Sequence, residues 1–103
     1  MPYPAALREI SGLALRALGR RTEAEAAFRK GALLEPVQTR LLAALAEELS
    51  LQGEAGLEAG EKAEARLRLE EAARLLRRAT EQSPGEAWLN YPLGRVLLML
   101  EKA

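Results

Sequence analysis

Ala24-Glu25-Ala26-Ala27-Phe28-Arg29-Lys30-Gly31-Ala32-Leu33-Leu34-Glu35-Pro36 is the stretch that decides the fold. Small Ala24 is followed four positions on by large Phe28, three further by small Gly31, and five further by Pro36. The same offsets recur in Ala72, Leu76, Ala79 and Pro84. On a helix, offsets of three and four share a face. The small residues let a neighbouring helix approach, and the large one fills the space between. Each Pro lies where a following helix starts, because Pro is tolerated in a first turn and not in a helix interior. Two helical units of one pattern read as a stacked repeat, each unit covering the apolar face of the next.

Composition agrees. Ala, Glu, Lys, Leu and Arg make up 71 of the 103 residues, the bias of long helices. Aromatic residues are 4% and β-branched residues are few, and no strand-like alternation survives. The length and the initial Met1 read as one complete small domain. The 15 basic and 15 acidic residues cancel, which argues against bulk nucleic acid or an anionic membrane as the partner. No Cys, His or Asp is present. That removes thiol nucleophiles, His-based acid–base chemistry and the usual zinc ligands. Arg outnumbers Lys by 12 to 3 and Asn90 stands alone, a thermophile-like composition. No apolar run spans a membrane and no secretory leader is recognisable, so the expected location is cytoplasmic.

Working outward, the first predicted helix runs from about Ala5 to Leu18. Its stripe is Leu7, Ile10, Ala14 and Ala17 or Leu18, and Gly12 marks a close helix contact. The second starts at Thr22, with Glu25 completing a capping box, and ends near Leu34. The third follows Pro36 and carries Val37, Leu41, Leu45 and Leu49 at strict fours. Gly53, Gly56 and Gly60 then predict a flexible, acidic loop over 53–60. The fourth runs from about Glu61 to Gln82, with Leu69, Ala72, Ala73, Leu76 and Ala79 inward and Glu64–Arg68 paired outward. Ser83 and Glu86 read as a second capping box. A short turn over Glu86–Asn90 and a main segment over Leu93–Glu101 follow, divided at Pro92. The expected fold is all-α, with about five helices in one domain. Residues 1–36 form the first pair, 37–84 a lengthened second pair and 85–103 a terminal helix.

These features together resemble the tetratricopeptide repeat family. Gly12-Leu13-Ala14-Leu15, then Gly19, Ala24, Phe28, Gly31 and Pro36, match most of its pattern, with Gly31 for the usual Ala and Leu15 for the usual Tyr. Pro84 falls 48 residues after Pro36, where the family repeats every ~34, so the second unit is lengthened. Trp88-Leu89 with Leu93-Gly94 resembles the first helix of a third unit, Tyr91-Pro92 being inserted. The resemblance implies a right-handed stack of antiparallel hairpins. It also implies a concave groove, lined by the first helix of each pair, that takes a peptide or helix of another protein. Some members clamp a terminal carboxylate with Lys, Arg and Asn. Glu9 and Leu13 at the matching positions of this chain are not such a clamp.

The expected function is therefore a non-enzymatic interaction module with another protein or peptide as partner and no cofactor or metal. Candidate contacts are Glu9, Leu13, Arg16, Leu42 and Leu45 in the groove, and Tyr91, Leu98 and Met99 on the last helix. Leu93, Val96, Leu97 and Leu100 already form one stripe, so Leu98 and Met99 make that helix apolar most of the way round. A second copy of the chain is the expected cover, and an obligate homo-oligomeric bundle is the alternative. Arg66, Arg68, Arg74, Arg77 and Arg78 raise a third reading, nucleic-acid binding, but Glu64, Glu70, Glu71 and Glu81 balance them into a solvated face. Glu47 and Glu48 read as a solvated helix end rather than a cation site. Trp88 is expected in the core.

Overall fold

The computed structural model describes residues 12–13, 15–17, 19–32 and 38–103, and among them there is no strand. The described residues over 12–17 are helical and are called α1. They are followed by α2 (Arg21–Ala32), α3 (Thr39–Glu58), α4 (Lys62–Gln82), a 3-10 turn (Ala87–Leu89) and α5 (Asn90–Lys102). The all-α expectation holds. The predicted helix start at Ala5, the stripe positions Leu7, Ile10, Ala14 and Leu18, the candidate Glu9, and Leu33 to Val37 lie outside the described residues.

α1 and α3 end alike. After α1, Gly19 at φ 78° lets its N–H reach the Arg16 carbonyl (2.9 Å) and the Arg20 N–H reach the Leu15 carbonyl (2.9 Å). After α3, Gly60 at φ 80° does the same, with Gly60 N–H on Leu57 (3.2 Å) and Glu61 N–H on Gly56 (2.8 Å). This paired closure satisfies the last carbonyls and reverses the chain within two or three residues. Antiparallel neighbours follow, and Gly12 of α1 comes to lie against the Phe28 ring of α2.

The flexible loop expected over 53–60 is not there. Gly53 and Gly56 lie within α3, and only 59–61 connect it to α4. A Cβ on Gly53 would stand 2.6 Å from Leu69 Cγ, and one on Gly56 would stand 3.0 Å from Ala65 Cβ. These glycines are small because α4 crosses there, not because the helix breaks. α3 and α4 are thus two long helices with a tight turn between them.

The core joins Phe28 of α2, Leu41, Leu42, Leu45 and Leu49 of α3, Leu69 and Leu76 of α4, and Leu89 and Val96 at the C-terminal end. Ala24, Ala46, Ala72 and Ala79 are fully buried between them, as small positions of a close-packed stack should be. On α1, Leu15 packs on this core and Ala17 is exposed.

Neither capping box forms as read. α2 begins at Arg21, with Thr22 already inside it. Ser83 closes α4 and its hydroxyl meets Thr39 Oγ1 at 2.7 Å, tying the end of α4 to the start of α3. Glu86 instead accepts a hydrogen bond from the Trp88 indole. Pro92 does not divide a helix. α5 starts at Asn90, so Pro92 falls in its first turn, where no N–H is needed. Trp88 is not core either, being 48% exposed, while its neighbour Leu89 is fully buried. The 3-10 turn rotates Leu89 inward and leaves the indole at the rim.

Candidate functional site

A hollow of about 630 Å³ opens between α1, α3 and the start of α5. Its floor is the face Arg40, Ala43, Ala44 and Glu47 of α3. Offsets of three, one and three put these four on one side of a helix. Ala43 and Ala44 keep the middle of the floor low, each raising only a methyl, with exposed Arg40 and Glu47 at its two ends. Leu13 and Arg16 of α1 form one wall, and Trp88, Tyr91, Pro92 and Arg95 form the other. Leu13, Trp88 and Tyr91 are exposed, Tyr91 by 76%. The groove therefore offers apolar and aromatic surface with arginines among it.

Arg16 fixes the first wall to the floor. Its Nε donates to Glu48 Oε1 at 3.0 Å, its Nη2 to the Ala44 carbonyl at 3.3 Å, and its Nη1 lies 3.5 Å from Glu47 Oε2. Its guanidinium also stacks 5.0 Å from the Phe28 ring centroid. Glu48 is fully buried, and its Oε2 has no hydrogen-bond partner among the described residues. Arg16 is thus its principal compensation. On the other wall, Arg95 is drawn to Glu54 of α3 at 2.9 Å. Arg16 and Arg95 are committed to carboxylates of α3, while exposed Arg40 and Glu47 add charged surface to the apolar groove.

A second polar cluster lies away from the groove and ties α2 to α3 and α4. Arg29 donates to Glu71 (2.8 Å) and Glu25 (2.9 Å), while Gln52 donates to Glu25 (2.8 Å). Burial pushes the Glu25 carboxyl up. The hydrogen bonds from Arg29 and Gln52 and the charges of Arg29 and Arg68 outweigh it and hold Glu25 below the usual carboxylate range. Hydrogen bonds to Glu71 and Glu25 raise Arg29 in turn. Arg68 of the α4 arginine cluster belongs here, 3.6 Å from Glu25 and 3.9 Å from Glu64.

Of the expected contacts, Leu13, Arg16 and Tyr91 meet in the groove. Leu42 and Leu45 do not. They are 1% and 2% exposed, because α3 is covered along that face by α2 and α4, and the face open to solvent is one step round the helix. Leu98 is 60% exposed on the outer side of α5, whereas Met99 packs against the core, so the two do not form one surface. Trp88, Arg40, Ala43, Ala44 and Arg95 were not singled out as groove residues. The pattern Arg40-x-x-Ala43-Ala44-x-x-Glu47 was the available signal, a helical face with small residues at its centre.

Among the described residues, no group of three or more Asp, Glu, His or Cys could hold a metal ion, and no helix is long and apolar enough to cross a membrane. No family model matches the chain, and neither a curated protein nor a solved structure is similar to it.

Proposed function

We propose that this chain is a non-enzymatic protein-interaction module whose groove between α1, α3 and α5 seats a peptide or helix of another protein. The observation that carries the reading is the low Ala43–Ala44 floor set between exposed Leu13 on one side and exposed Trp88 and Tyr91 on the other. Such a slot gives a bulky apolar side chain a place to bury, with aromatic walls of the kind enriched in binding hot spots. The tetratricopeptide-like arrangement is part of the proposal. Its supports are the paired helices, Gly12 against Phe28, and a groove lined by the first, third and fifth helices.

Trp88 is the chain's one Trp and stands in the groove wall, so its fluorescence reports occupancy directly. Peptides selected by display on the full chain should shift Trp88 emission to the blue on titration. Ala43→Gln, which raises the floor, should weaken them at least ~10-fold, or about 1.4 kcal/mol. Equal binding to wild type and Ala43→Gln refutes the groove as the site.

A further inference from the structure

Arg16, Arg40, Arg95, Glu47 and Glu86 are the charged side chains along the groove. Two of these cations are committed to other carboxylates, Arg16 to buried Glu48 at 3.0 Å and Arg95 to Glu54 at 2.9 Å. Even with Arg40 counted in full, Glu47 and Glu86 leave the groove with an excess of negative charge among the described residues. The Glu47 side chain is 57% exposed although Arg16 lies 3.5 Å away, and Glu86 is exposed as well. Glu86 is also held in place, because its carboxylate accepts a hydrogen bond from the Trp88 indole. That bond uses only the N–H edge of the ring. Trp88 and Tyr91, three residues apart, both stay exposed along the same wall. The face of an aromatic ring carries negative potential and attracts a cation.

We infer that the segment seated in the groove is basic: it sets a lysine or arginine against Trp88 and Tyr91, beside the Glu86 carboxylate, and a bulky apolar residue over Ala43 and Ala44. The inference rests on the groove reading and adds the charge of the occupant. An acidic segment would bring like charge to Glu47 and Glu86. A purely apolar segment would cover these carboxylates without pairing them, at a cost in desolvation. A basic side chain meets neither penalty. Its methylene stem lies along the rings while its charged head reaches the carboxylate. Arg40 is the cation that opposes this arrangement, and it stands on the floor rather than on the aromatic wall. A single charge pair is involved, so the dependence on salt stays shallow.

Dye-labelled peptides selected by display on the full chain, with binding followed by fluorescence anisotropy, test this. The selected sequences should carry a lysine or arginine close to a bulky apolar residue. Replacing that basic residue by norleucine keeps an apolar stem, removes the charge, and should weaken binding ~5-fold or more. Glu86→Gln keeps an acceptor for the indole, and Trp88→Leu keeps an apolar side chain. Each should cut the difference between the basic peptide and its norleucine analogue by ~3-fold or more. Both residues are exposed, so both variants should fold with unchanged helical circular dichroism. Peptides that are lost on Ala43→Gln yet bind equally with the basic residue or norleucine overturn this inference and leave the groove reading intact. A difference that Glu86→Gln and Trp88→Leu leave at full size overturns it too. Peptides bound equally by wild type and Ala43→Gln overturn the groove, and the inference with it.

Discussion

Gly53→Ala and Gly94→Ala are the same chemical change, and they should move stability in opposite directions. Both sites are helical, so each gains about 1 kcal/mol from replacing Gly by Ala. At Gly94 nothing among the described residues opposes that gain, since none stands within 4 Å of the Cβ position. For a domain of this size the gain corresponds to about 4–8 °C in Tm. At Gly53 the new Cβ stands 2.6 Å from Leu69 Cγ and 2.7 Å from Cδ2. Comfortable carbon contacts begin near ~3.5 Å, so the overlap is about 1 Å. Leu69 is fully buried and cannot swing aside, so α3 and α4 must part. Overpacking of this kind costs about 1–3 kcal/mol, which cancels or exceeds the propensity gain. The difference between the two variants isolates the packing contribution, since propensity is common to both. Thermal and urea unfolding should separate them by about 1–3 kcal/mol. Equal rises in Tm would refute the close α3–α4 crossing, and with it the reason Gly53 is not a loop residue.

Two further predictions concern the charged groups. Arg16→Met should destabilise by about 2–4 kcal/mol, because it strands the buried Glu48 carboxylate, whereas Arg16→Met with Glu48→Leu should return to within ~1.5 kcal/mol of wild type. Additive losses in that cycle, measured by urea unfolding, would mean the two side chains do not act as a pair. Glu25 is held below its ordinary pKa in the folded chain, so its contribution to stability is present above about pH 4.3 and is lost as pH falls through its lower folded value. Arg29→Met should flatten that part of the stability–pH curve, and an unchanged acid limb would remove Arg29 as the cause.

What the sequence made legible was whatever depends on local spacing. α4 was placed to within a residue of Lys62–Gln82, because its apolar positions and its end at Ser83-Pro84 are local facts. Gly53 and Gly56 were misread for a reason equally physical. Propensity treats Gly as a breaker, and only the partner helix reveals whether the missing side chain makes room for something. The clue was present, since Leu41, Leu45 and Leu49 continue through Gly53 and Gly56 at offsets of four and three, an unbroken helical face. Leu42 and Leu45 are expected in the groove because the resemblance lines it with the first helix of each pair, yet a helix packed on two sides consumes its Leu face in the core. Trp88, expected in the core, is at the rim and Leu89 is buried, because a one-residue rotation, set by the 3-10 turn, is invisible to spacing.

The groove shows why size matters more than charge in this architecture. Residues of α1, α3 and α5 line the groove, and α3, between the other two, is its floor. A floor of large residues would close the slot, and a floor of exposed charges would keep water in it. Ala43 and Ala44 keep its middle low and apolar between exposed Arg40 and Glu47, and Arg16 is turned to Glu48, Glu47 and the Ala44 carbonyl. The buried Glu48 is therefore part of how the groove is built, since it draws the α1 wall onto α3 and leaves Leu13 beside the slot. A ligand that seats here gains by covering Leu13, Trp88 and Tyr91, so its affinity should change little with salt, whereas a phosphate ligand held by the α4 arginines would lose affinity steeply as salt rises.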